Sequence, residues 1–315
     1  MQQLLARDLA RFDQQLEAQL QSDPALLGDI GLELIQAGGK RLRPRLSLLT
    51  GRLLGAEEGH GQAVAMAVEL LHTASLLHDD LIDESETRRG KVAAYRRFGN
   101  SISVMAGDYL LAKVLRVLAA SGNHDFTLLM SDVATAICEA EIRQFQLTMA
   151  EDRSFQAYLS VIDGKTGVLI SAALEGVAIL AGAADEDRAA LREFGMGYGR
   201  AFQLQDDYLD LMSDEASLGK PAGSDLAEGK ATWPVLLLLA KGNAEAASIL
   251  NRRAEHAGDQ ERMAELLRQT GAAEATLKKI AEETGRAAAA LDRFPDSPAK
   301  AALLELAGAE SGRTA

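Results

Sequence analysis

The sequence predicts an all-α fold, with ten or more helices packed into a single domain that spans residues 1–315. Three observations support this prediction. Hydrophobic residues make up 47% of the chain but aromatic residues only 4%, so that alanine and leucine, which favour helices, dominate the apolar set. Apolar residues recur at intervals of three and four along most of the chain. No fixed-period repeat and no linker-like stretch divides the sequence.

In chain order, the clearest helix is predicted over 63–83, which carries this three-and-four spacing throughout. The same spacing predicts helices over 97–120, 125–149, 154–183, 186–214 and 230–242, and weaker alanine-rich helices to about residue 308. Turn-forming residues occupy the breaks at Gly38–Gly39, Gly55–Gly61, Ser121–Asn123 and Gly219–Gly223. No stretch alternates apolar and polar residues, so no strands are predicted.

The charge balance narrows the functional classes. With 33 basic and 46 acidic residues the net charge is −13, which argues against general nucleic-acid binding and makes the few basic clusters informative. Cys138 is the only cysteine, which excludes an internal disulfide and a thiolate zinc site and suggests a reducing compartment. The N-terminus lacks a signal-peptide core, and Glu175 interrupts the longest apolar run. We therefore expect a cytoplasmic protein without a transmembrane segment.

Two segments share the pattern DDxxD, and each ends an apolar helix. The six carboxylates are Asp79, Asp80, Asp83, Asp206, Asp207 and Asp210. The first and last aspartate of each set lie on one helical face, one turn apart, where like charges destabilise a helix unless a cation compensates them. Mg²⁺ prefers oxygen ligands of this kind together with phosphate oxygens. One such set is often only a solvated helix end, but two sets favour a metal–diphosphate site.

Two basic clusters are candidate anion sites. Lys40, Arg41 and Arg43 follow paired glycines and precede Pro44, and Arg88-Arg89-Gly90-Lys91 follows the first aspartate set. Arginine offers a planar fork for phosphate oxygens, and glycine lets the backbone approach a ligand closely. His72 lies two helical turns before Asp79 and is a candidate phosphate donor. Alone, each feature is more often structural; beside metal-type carboxylates, the anion-site interpretation is favoured.

Two further segments extend the pattern. Asp163-Gly164-Lys165-Thr166-Gly167 places two glycines inside a helix, at a cost of about 1 kcal/mol each relative to alanine. This predicts a kink that turns Lys165 and Thr166 toward a ligand. Lys220 and Lys230 lie in the glycine-rich stretch after the second aspartate set.

In this order, the motifs resemble those of the trans-isoprenyl diphosphate synthases, the polyprenyl synthetase family, and in particular its medium- and long-chain members such as octaprenyl or geranylgeranyl diphosphate synthases. The resemblance runs through GGKRLRP, LLHDDLIDESETRRG, GKT, GRAFQLQDDYLD, GKPAGSDLAEGK and FPDSPAKAALLELA, and so covers nearly the whole chain. It implies helices around a deep central cavity, usually in a homodimer, and a Mg²⁺-dependent prenyltransferase that joins isopentenyl diphosphate to an allylic diphosphate.

The resemblance also implies roles for individual residues. The expected ligands of three Mg²⁺ ions are Asp79, Asp83, Asp206 and Asp210, and the expected supporting carboxylates are Asp80, Asp207 and again Asp210. The expected contacts of the allylic diphosphate are Arg88, Lys165, Lys220 and Lys230. The expected contacts of isopentenyl diphosphate are Lys40, Arg43, His72 and Arg89. Thr166 and Gln203 are expected near the developing cation.

Two alternatives remain open at the level of sequence. A terpene cyclase or squalene-synthase-like enzyme would share the helices and the aspartates, but it would not need the isopentenyl diphosphate contacts. A catalytically idle subunit of a two-chain synthase would usually lack aspartates or basic contacts that this chain retains.

Product length is predicted from the residues one turn before Asp79, namely Ala74 and Ser75. In short-chain members of the family that the chain resembles, bulky aromatic residues near here stop growth at fifteen carbons. The small side chains predict products of at least twenty carbons, with about forty favoured, and a channel floor supplied by another helix around 109–115.

Overall fold

The computed structural model describes residues 2–36, 41–88, 90–150, 152–213 and 223–311, and it confirms the all-α prediction. The helices of the first half are α1 (Gln2–Leu20), α2 (Ala25–Gln36), α3 (Leu42–Leu53), α4 (Glu58–Ile82), α5 (Ala94–Phe98), α6 (Asn100–Ser121) and α7 (His124–Ala150). Those of the second half are α8 (Phe155–Ile162), α9 (Val168–Leu180), α10 (Asp185–Met212), α11 (Ser224–Ala227), α12 (Trp233–Ala240), α13 (Ala244–Asn251), α14 (Asp259–Gln269), α15 (Ala272–Ala290) and α16 (Pro298–Ser311).

Two details differ from the sequence prediction. A small antiparallel hairpin joins β1 (Thr87–Arg88) to β2 (Lys91–Val92), with Arg88 opposite Lys91. Strands of two residues are too short for an alternating pattern to reveal them. The helix predicted over 97–120 is divided at Gly99, whose φ of 85° is a left-handed conformation that glycine adopts without steric cost.

The chain forms two compact units that alternate along the sequence. The first unit comprises Met1–Ala134, Ala172–Arg192 and Arg293–Leu303, and the second comprises Thr135–Ser171, Glu193–Asp292 and Leu304–Ala315. The single-domain organisation expected from the sequence stays a prediction.

In the first unit, α4 is the central helix and packs against α3 and α6. Several of its apolar positions, among them Ala67, Leu70 and Ala74, are completely buried, as the helical spacing predicts. Packing on α6 is close, because a Cβ atom at Gly107 would lie 2.2 Å from Nε2 of His78. The last turn of α4 carries the first aspartate set, which is thereby fixed to the core of this unit.

One continuous helical stretch runs from α8 into α9, and its part in the second unit is widened at Asp163–Gly167 into a single π-helical turn. The amide of Val168 donates to the carbonyl of Asp163, five residues earlier. Such turns are rare and are frequent at functional sites. The kink predicted from the two glycines is therefore present as a π turn.

Close backbone contact explains the glycines of this turn. A Cβ atom at Gly164 would lie 2.6 Å from Cβ of Ala140 on α7, and one at Gly199 on α10 would lie 2.8 Å from Cα of Gly167. The π turn is therefore packed directly against two helices of the second unit.

Among the described residues, one helical stretch, Phe155–Leu180, is long and apolar enough to cross a membrane. Buried residues make up 56% of its most apolar window, and a core helix of a water-soluble protein meets the same criteria. The stretch is therefore weak support for a membrane span.

We expect Gly199→Ala to lower the free energy of unfolding by about 2 kcal/mol, because the new methyl group would overlap the backbone of Gly167. Gly285→Ala is the matched control, since no atom lies within 4 Å of a Cβ there, and it should raise stability by about 1 kcal/mol through helix propensity. Urea unfolding of both variants measures the difference. Equal effects of the two substitutions would show that the contact is not close.

Candidate active site

The first aspartate set divides into accessible and buried carboxylates. Asp79 is half-buried and Asp83, which directly follows α4, is exposed, whereas Asp80 is only 1% exposed. Successive residues of a helix are rotated by about 100° from each other, whereas residues four apart share a face. Asp79 and Asp83 thus present two carboxylates to the outside of one turn, and Asp80 points into the protein.

The buried Asp80 is paired with Arg88 of the β-hairpin. Nε of Arg88 donates to Oδ1 of Asp80 over 2.6 Å. Burial raises the pKa of Asp80, and the hydrogen bond from Arg88 offsets part of that rise. The ion pair ties the hairpin to the aspartate turn, so that one predicted substrate-binding cation is held directly beside the predicted metal ligands.

The predicted isopentenyl diphosphate residues are only partly within the described chain. Arg43, in the first turn of α3, and His72 of α4 are both half-buried in the first unit. Lys40 and Arg89, and likewise the predicted allylic contact Lys220, lie outside the described residues. Their roles stay predictions.

Arg41 belongs to the basic cluster predicted to bind an anion, but the structure gives it a structural role. It has a φ of 48°, and its guanidinium donates to the carbonyl of Ile35 over 2.7 Å and lies 3.3 Å from Asp13 and 3.5 Å from Glu69. The cluster therefore contains one cation that anchors the start of α3 to the first unit.

The second unit contains a cavity lined by predicted site residues. Those that line it are Lys165, Gln203, Asp207 and Lys230. The remainder of the lining is mixed, with apolar side chains such as Leu147, Val161 and Leu236 beside polar ones. An apolar wall with a few convergent charged groups is typical of a small-molecule site.

Hydrogen bonds link three lining residues, Tyr158, Gln203 and Asp207, to one another and to Thr166. The hydroxyl of Thr166 donates to Oε1 of Gln203 over 2.9 Å, and Nε2 of Gln203 donates to Oδ1 of Asp207 over 2.8 Å. The hydroxyl of Tyr158 donates to Oδ2 of Asp207 over 2.6 Å. The sequence interpretation omitted Tyr158, because a single tyrosine on an apolar helix gives no signal of its own.

Burial is the main cause of the pKa shifts among these hydrogen-bonded residues. It raises the pKa of Asp207 to about 8, with a further rise from the charge of Asp225, while hydrogen bonds from Tyr158 and Gln203 act in the opposite direction. Burial also raises the pKa of Tyr158 well above its ordinary value, and the nearby Asp207 adds to the rise. The phenol of Tyr158 therefore remains a hydrogen-bond donor at neutral pH.

The other two aspartates of the second set differ in exposure. Asp206 is half-buried, while Asp210 is 1% exposed and accepts hydrogen bonds from the hydroxyl of Ser224 (2.8 Å) and the amide of Asp225 (3.1 Å). These bonds fix the start of α11. They support the role of Asp210 as a structural carboxylate, and its role as a direct metal ligand stays a prediction.

Two predicted diphosphate lysines of this unit lie within the described residues, and both are paired with acidic groups. Nζ of Lys165 lies 2.7 Å from Oε1 of Glu141 and donates to Oε1 of Gln144 over 3.0 Å. Lys230 forms an ion pair with Glu228 and lies 3.9 Å from Asp225. These contacts hold the two ammonium groups at the cavity.

A separate ion-pair network holds the π turn. Arg200 of α10 donates through Nε and Nη2 to the two oxygens of Asp163, each over 2.6 Å, and its Nη1 lies 3.8 Å from the buried Glu283. Hydrogen bonding to Asp163 raises the pKa of Arg200 above its ordinary value. The pair fixes the residue that begins the turn, and with it the positions of Lys165 and Thr166.

Comparison with known proteins indicates the family of the chain. The family model described as polyprenyl synthetase matches residues 24–270. An octaprenyl diphosphate synthase of Haemophilus influenzae is 36% identical over 310 residues, covering 98% of this chain and 94% of that protein. An all-trans-nonaprenyl-diphosphate synthase (geranyl-diphosphate specific) of Rhodobacter capsulatus is 37% identical over 308 residues, covering 96% and 94%.

A solved polyprenyl synthase of Caulobacter crescentus, crystallised with calcium and isoprenyl diphosphate, superposes with a TM-score of 0.93 at 38% identity, covering 100% of this chain and 97% of that one. The chain belongs to the polyprenyl synthetase family. The family predicted from the motifs is thereby confirmed.

The aspartates of the two DDxxD sets have the chemistry that a divalent cation requires. Among the described residues, no three His, Cys, Asp or Glu side chains are already gathered into a metal-binding group. Of the six aspartates, Asp79 and Asp206 are half-buried and Asp83 is exposed. Asp80, Asp207 and Asp210 are buried. Hard oxygen ligands that remain accessible suit an ion that also binds phosphate oxygens.

The two positions predicted to control chain length differ in accessibility. Ala74 is fully buried, whereas Ser75 is half-buried and donates its hydroxyl to the carbonyl of His72 over 2.9 Å. Ser75 is therefore the better placed of the two to face a growing chain. In the region predicted to supply the floor, the hydroxyl of Tyr109 donates to the carbonyl of Gln21 over 3.0 Å.

We expect Arg200→Ala to lower the free energy of unfolding by about 2 kcal/mol, because it removes the hydrogen-bond partners of Asp163. Arg286→Ala is the control. It breaks the more exposed pair with Glu193 and should cost less than about 1 kcal/mol. Thermal and urea unfolding measure both variants. An Arg200→Ala protein as stable as the control variant would contradict a structural role for this pair.

Proposed function

We propose that this chain is a chain-elongating prenyltransferase, which condenses isopentenyl diphosphate with an allylic diphosphate to an all-trans polyprenyl diphosphate of twenty or more carbons and releases diphosphate. About forty carbons is the proposed main product. Family membership and the octaprenyl and nonaprenyl synthases among the relatives support this function. A terpene cyclase-like enzyme and a catalytically idle subunit are not favoured.

One observation supports the proposal most directly. Lys165, Lys230, Gln203 and Asp207 line one cavity, so that cations for a diphosphate lie beside an acidic group and apolar walls. Polyprenyl diphosphates combine the same two properties, a highly charged head and an apolar tail. The cavity is therefore matched to both ends of an allylic substrate.

The proposed chemistry requires stabilisation of charge on a leaving group. Bound Mg²⁺, proposed as three ions on Asp79, Asp83, Asp206 and Asp210, would withdraw charge from the allylic diphosphate. Arg88, Lys165, Lys220 and Lys230 would bind its oxygens as the allylic C–O bond breaks. Asp80 and Asp207 would support the acidic turns.

In the second step the double bond of isopentenyl diphosphate attacks the allylic cation, and a new C–C bond forms. Loss of one proton, accepted by the released diphosphate, restores a double bond and completes a five-carbon extension. Lys40, Arg43, His72 and Arg89 are proposed to hold isopentenyl diphosphate. Oxygen atoms of Thr166 and Gln203 would lie near the cation.

We also propose a cytoplasmic homodimer. Helices α6 and α7 carry large apolar side chains that are between 48% and 67% exposed. These side chains are Met105, Leu115, Leu128, Ile142 and Phe145. Exposed apolar side chains of this size are typical of protein–protein contacts.

Incubation of the purified chain alone with labelled isopentenyl diphosphate, geranyl or farnesyl diphosphate and Mg²⁺ tests the function. Chromatography should show linear products of twenty or more carbons, and chelation of the metal should stop their formation. A cyclic hydrocarbon would indicate a cyclase. No product without a second protein would indicate a subunit of a two-chain enzyme.

We expect Asp79→Ala or Asp206→Ala to lower kcat by at least about a thousandfold, because each removes a proposed metal ligand. Thermal stability should be unchanged or higher, since each substitution relieves repulsion between neighbouring carboxylates. Asp296→Ala, at a fully exposed position, is the control and should retain activity. An active Asp79→Ala enzyme would refute the metal assignment.

We expect Ser75→Phe to shift the main product toward fifteen to twenty carbons without preventing the first condensation. One helical turn is about 5.4 Å, comparable to one isoprene unit, so an aromatic ring one turn before Asp79 should block the growing chain. Ser75→Ala is the matched control and should leave the length distribution unchanged. A wild type that stops at fifteen carbons, or an unchanged distribution in Ser75→Phe, would contradict this account.

A further inference from the structure

Tyr158 is an unassigned polar residue that faces the candidate site. It lies on α8, and its hydroxyl donates to Oδ2 of Asp207 over 2.6 Å. Its ring lies 5.9 Å from the ring of Trp233, which in turn lies 4.6 Å from the ring of Phe155. These aromatic contacts fix the ring, so that the hydroxyl is directed at the carboxylate.

Asp207 passes this restraint to two further groups. Oδ1 of Asp207 accepts a hydrogen bond from the amide nitrogen of Gln203, and the amide oxygen of Gln203 accepts one from the hydroxyl of Thr166. Reversal of the amide would direct its oxygen at the carboxylate of Asp207 and its hydrogens at Thr166. Because one oxygen of Asp207 accepts the hydrogen bond from Tyr158 and the other accepts that from Gln203, the Gln203 amide is held with its nitrogen toward Asp207 and its oxygen toward Thr166.

The consequence concerns the lone pairs of Thr166. Because its hydroxyl hydrogen is engaged with Gln203, the remaining lone pairs of Oγ are available to other groups. An oxygen that presents lone pairs stabilises a nearby cation, whereas one that presents its hydrogen opposes it. The orientation of this hydroxyl thus affects a step in which positive charge develops.

We propose that Tyr158 is a positioning residue for prenyl transfer, which holds Asp207 so that Gln203 and Thr166 present their oxygen atoms correctly to the allylic cation. The inference rests on the proposed function, because it needs a cationic intermediate near Thr166. Tyr158 acts through Asp207 and does not bind the substrate diphosphate, whose proposed contacts include Lys165 and Lys230.

The test is Tyr158→Phe, which removes one oxygen atom and keeps the ring. Single-turnover and steady-state assays should show kcat lowered roughly tenfold, the effect of losing one buried hydrogen bond, with both KM values within about twofold of wild type. Tyr95→Phe is the matched control, because the buried hydroxyl of Tyr95 has no hydrogen-bond partner among the described residues. It should leave kcat unchanged.

A double-mutant cycle separates positioning from a general structural effect. In a Gln203→Leu background the hydrogen-bonded connection from Asp207 to Thr166 is already broken. Tyr158→Phe should therefore lower the single-turnover rate by less than about twofold in that background. The same tenfold loss in both backgrounds would overturn the proposal. Equal kcat for Tyr158→Phe and wild type would also overturn it, whereas a wild type without prenyl transfer would refute the proposed function.

A second variant keeps the test decisive if Tyr158→Phe folds poorly. Incorporation of p-aminophenylalanine at position 158 retains the ring and a donor at the same place. We expect kcat to return to within about threefold of the wild type. A rate as low as that of Gln203→Leu, in a protein with wild-type thermal stability, would show that the hydrogen bond donated to Asp207 does not set the rate, and it would overturn the proposal.

Discussion

A carboxylate buried away from water must be hydrogen-bonded or paired, and this constraint organises both aspartate segments. Asp80 is satisfied by Arg88, Asp207 by Tyr158 and Gln203, and Asp210 by Ser224 and the amide of Asp225. The donors belong to the β-hairpin, to α8, to α10 and to the start of α11. The bonds that stabilise the buried acids therefore fix Arg88 itself and segments that lie close in sequence to Lys165 and Lys230.

The DDxxD pattern consequently contains two kinds of aspartate. In the first set, the helical period places Asp79 and Asp83 on the accessible face and turns Asp80 inward. The second set follows the same rule for Asp206 and Asp207 but departs from it at Asp210, which is buried because the turn at 223–225 covers it. Identical spacing thus supplies different numbers of accessible ligands in the two units.

Much of this was predictable from sequence. The helices, the irregular turn at Asp163–Gly167 and the family follow from apolar spacing, helix-breaking glycines and ordered motifs. The inward orientation of Arg41 and the contributions of Tyr158 and Arg200 were not predictable, because each depends on a partner distant in sequence. A two-residue hairpin likewise has no periodicity to detect. Local patterns identify groups that can bind a ligand, whereas tertiary contacts decide which of those groups are engaged elsewhere.

The predicted substrate-binding cations show why such engagement matters. Arg88 is paired with Asp80, Lys165 with Glu141 and Lys230 with Glu228, in a chain whose net charge is −13. An anion that binds these cations must compete with carboxylates that are already in place. A single negative charge gains little from that exchange, because it replaces one monoanion with another. A diphosphate places several charges against the same cations and recruits metal ions as well, so the internal ion pairs favour polyvalent substrates over ordinary cellular monoanions.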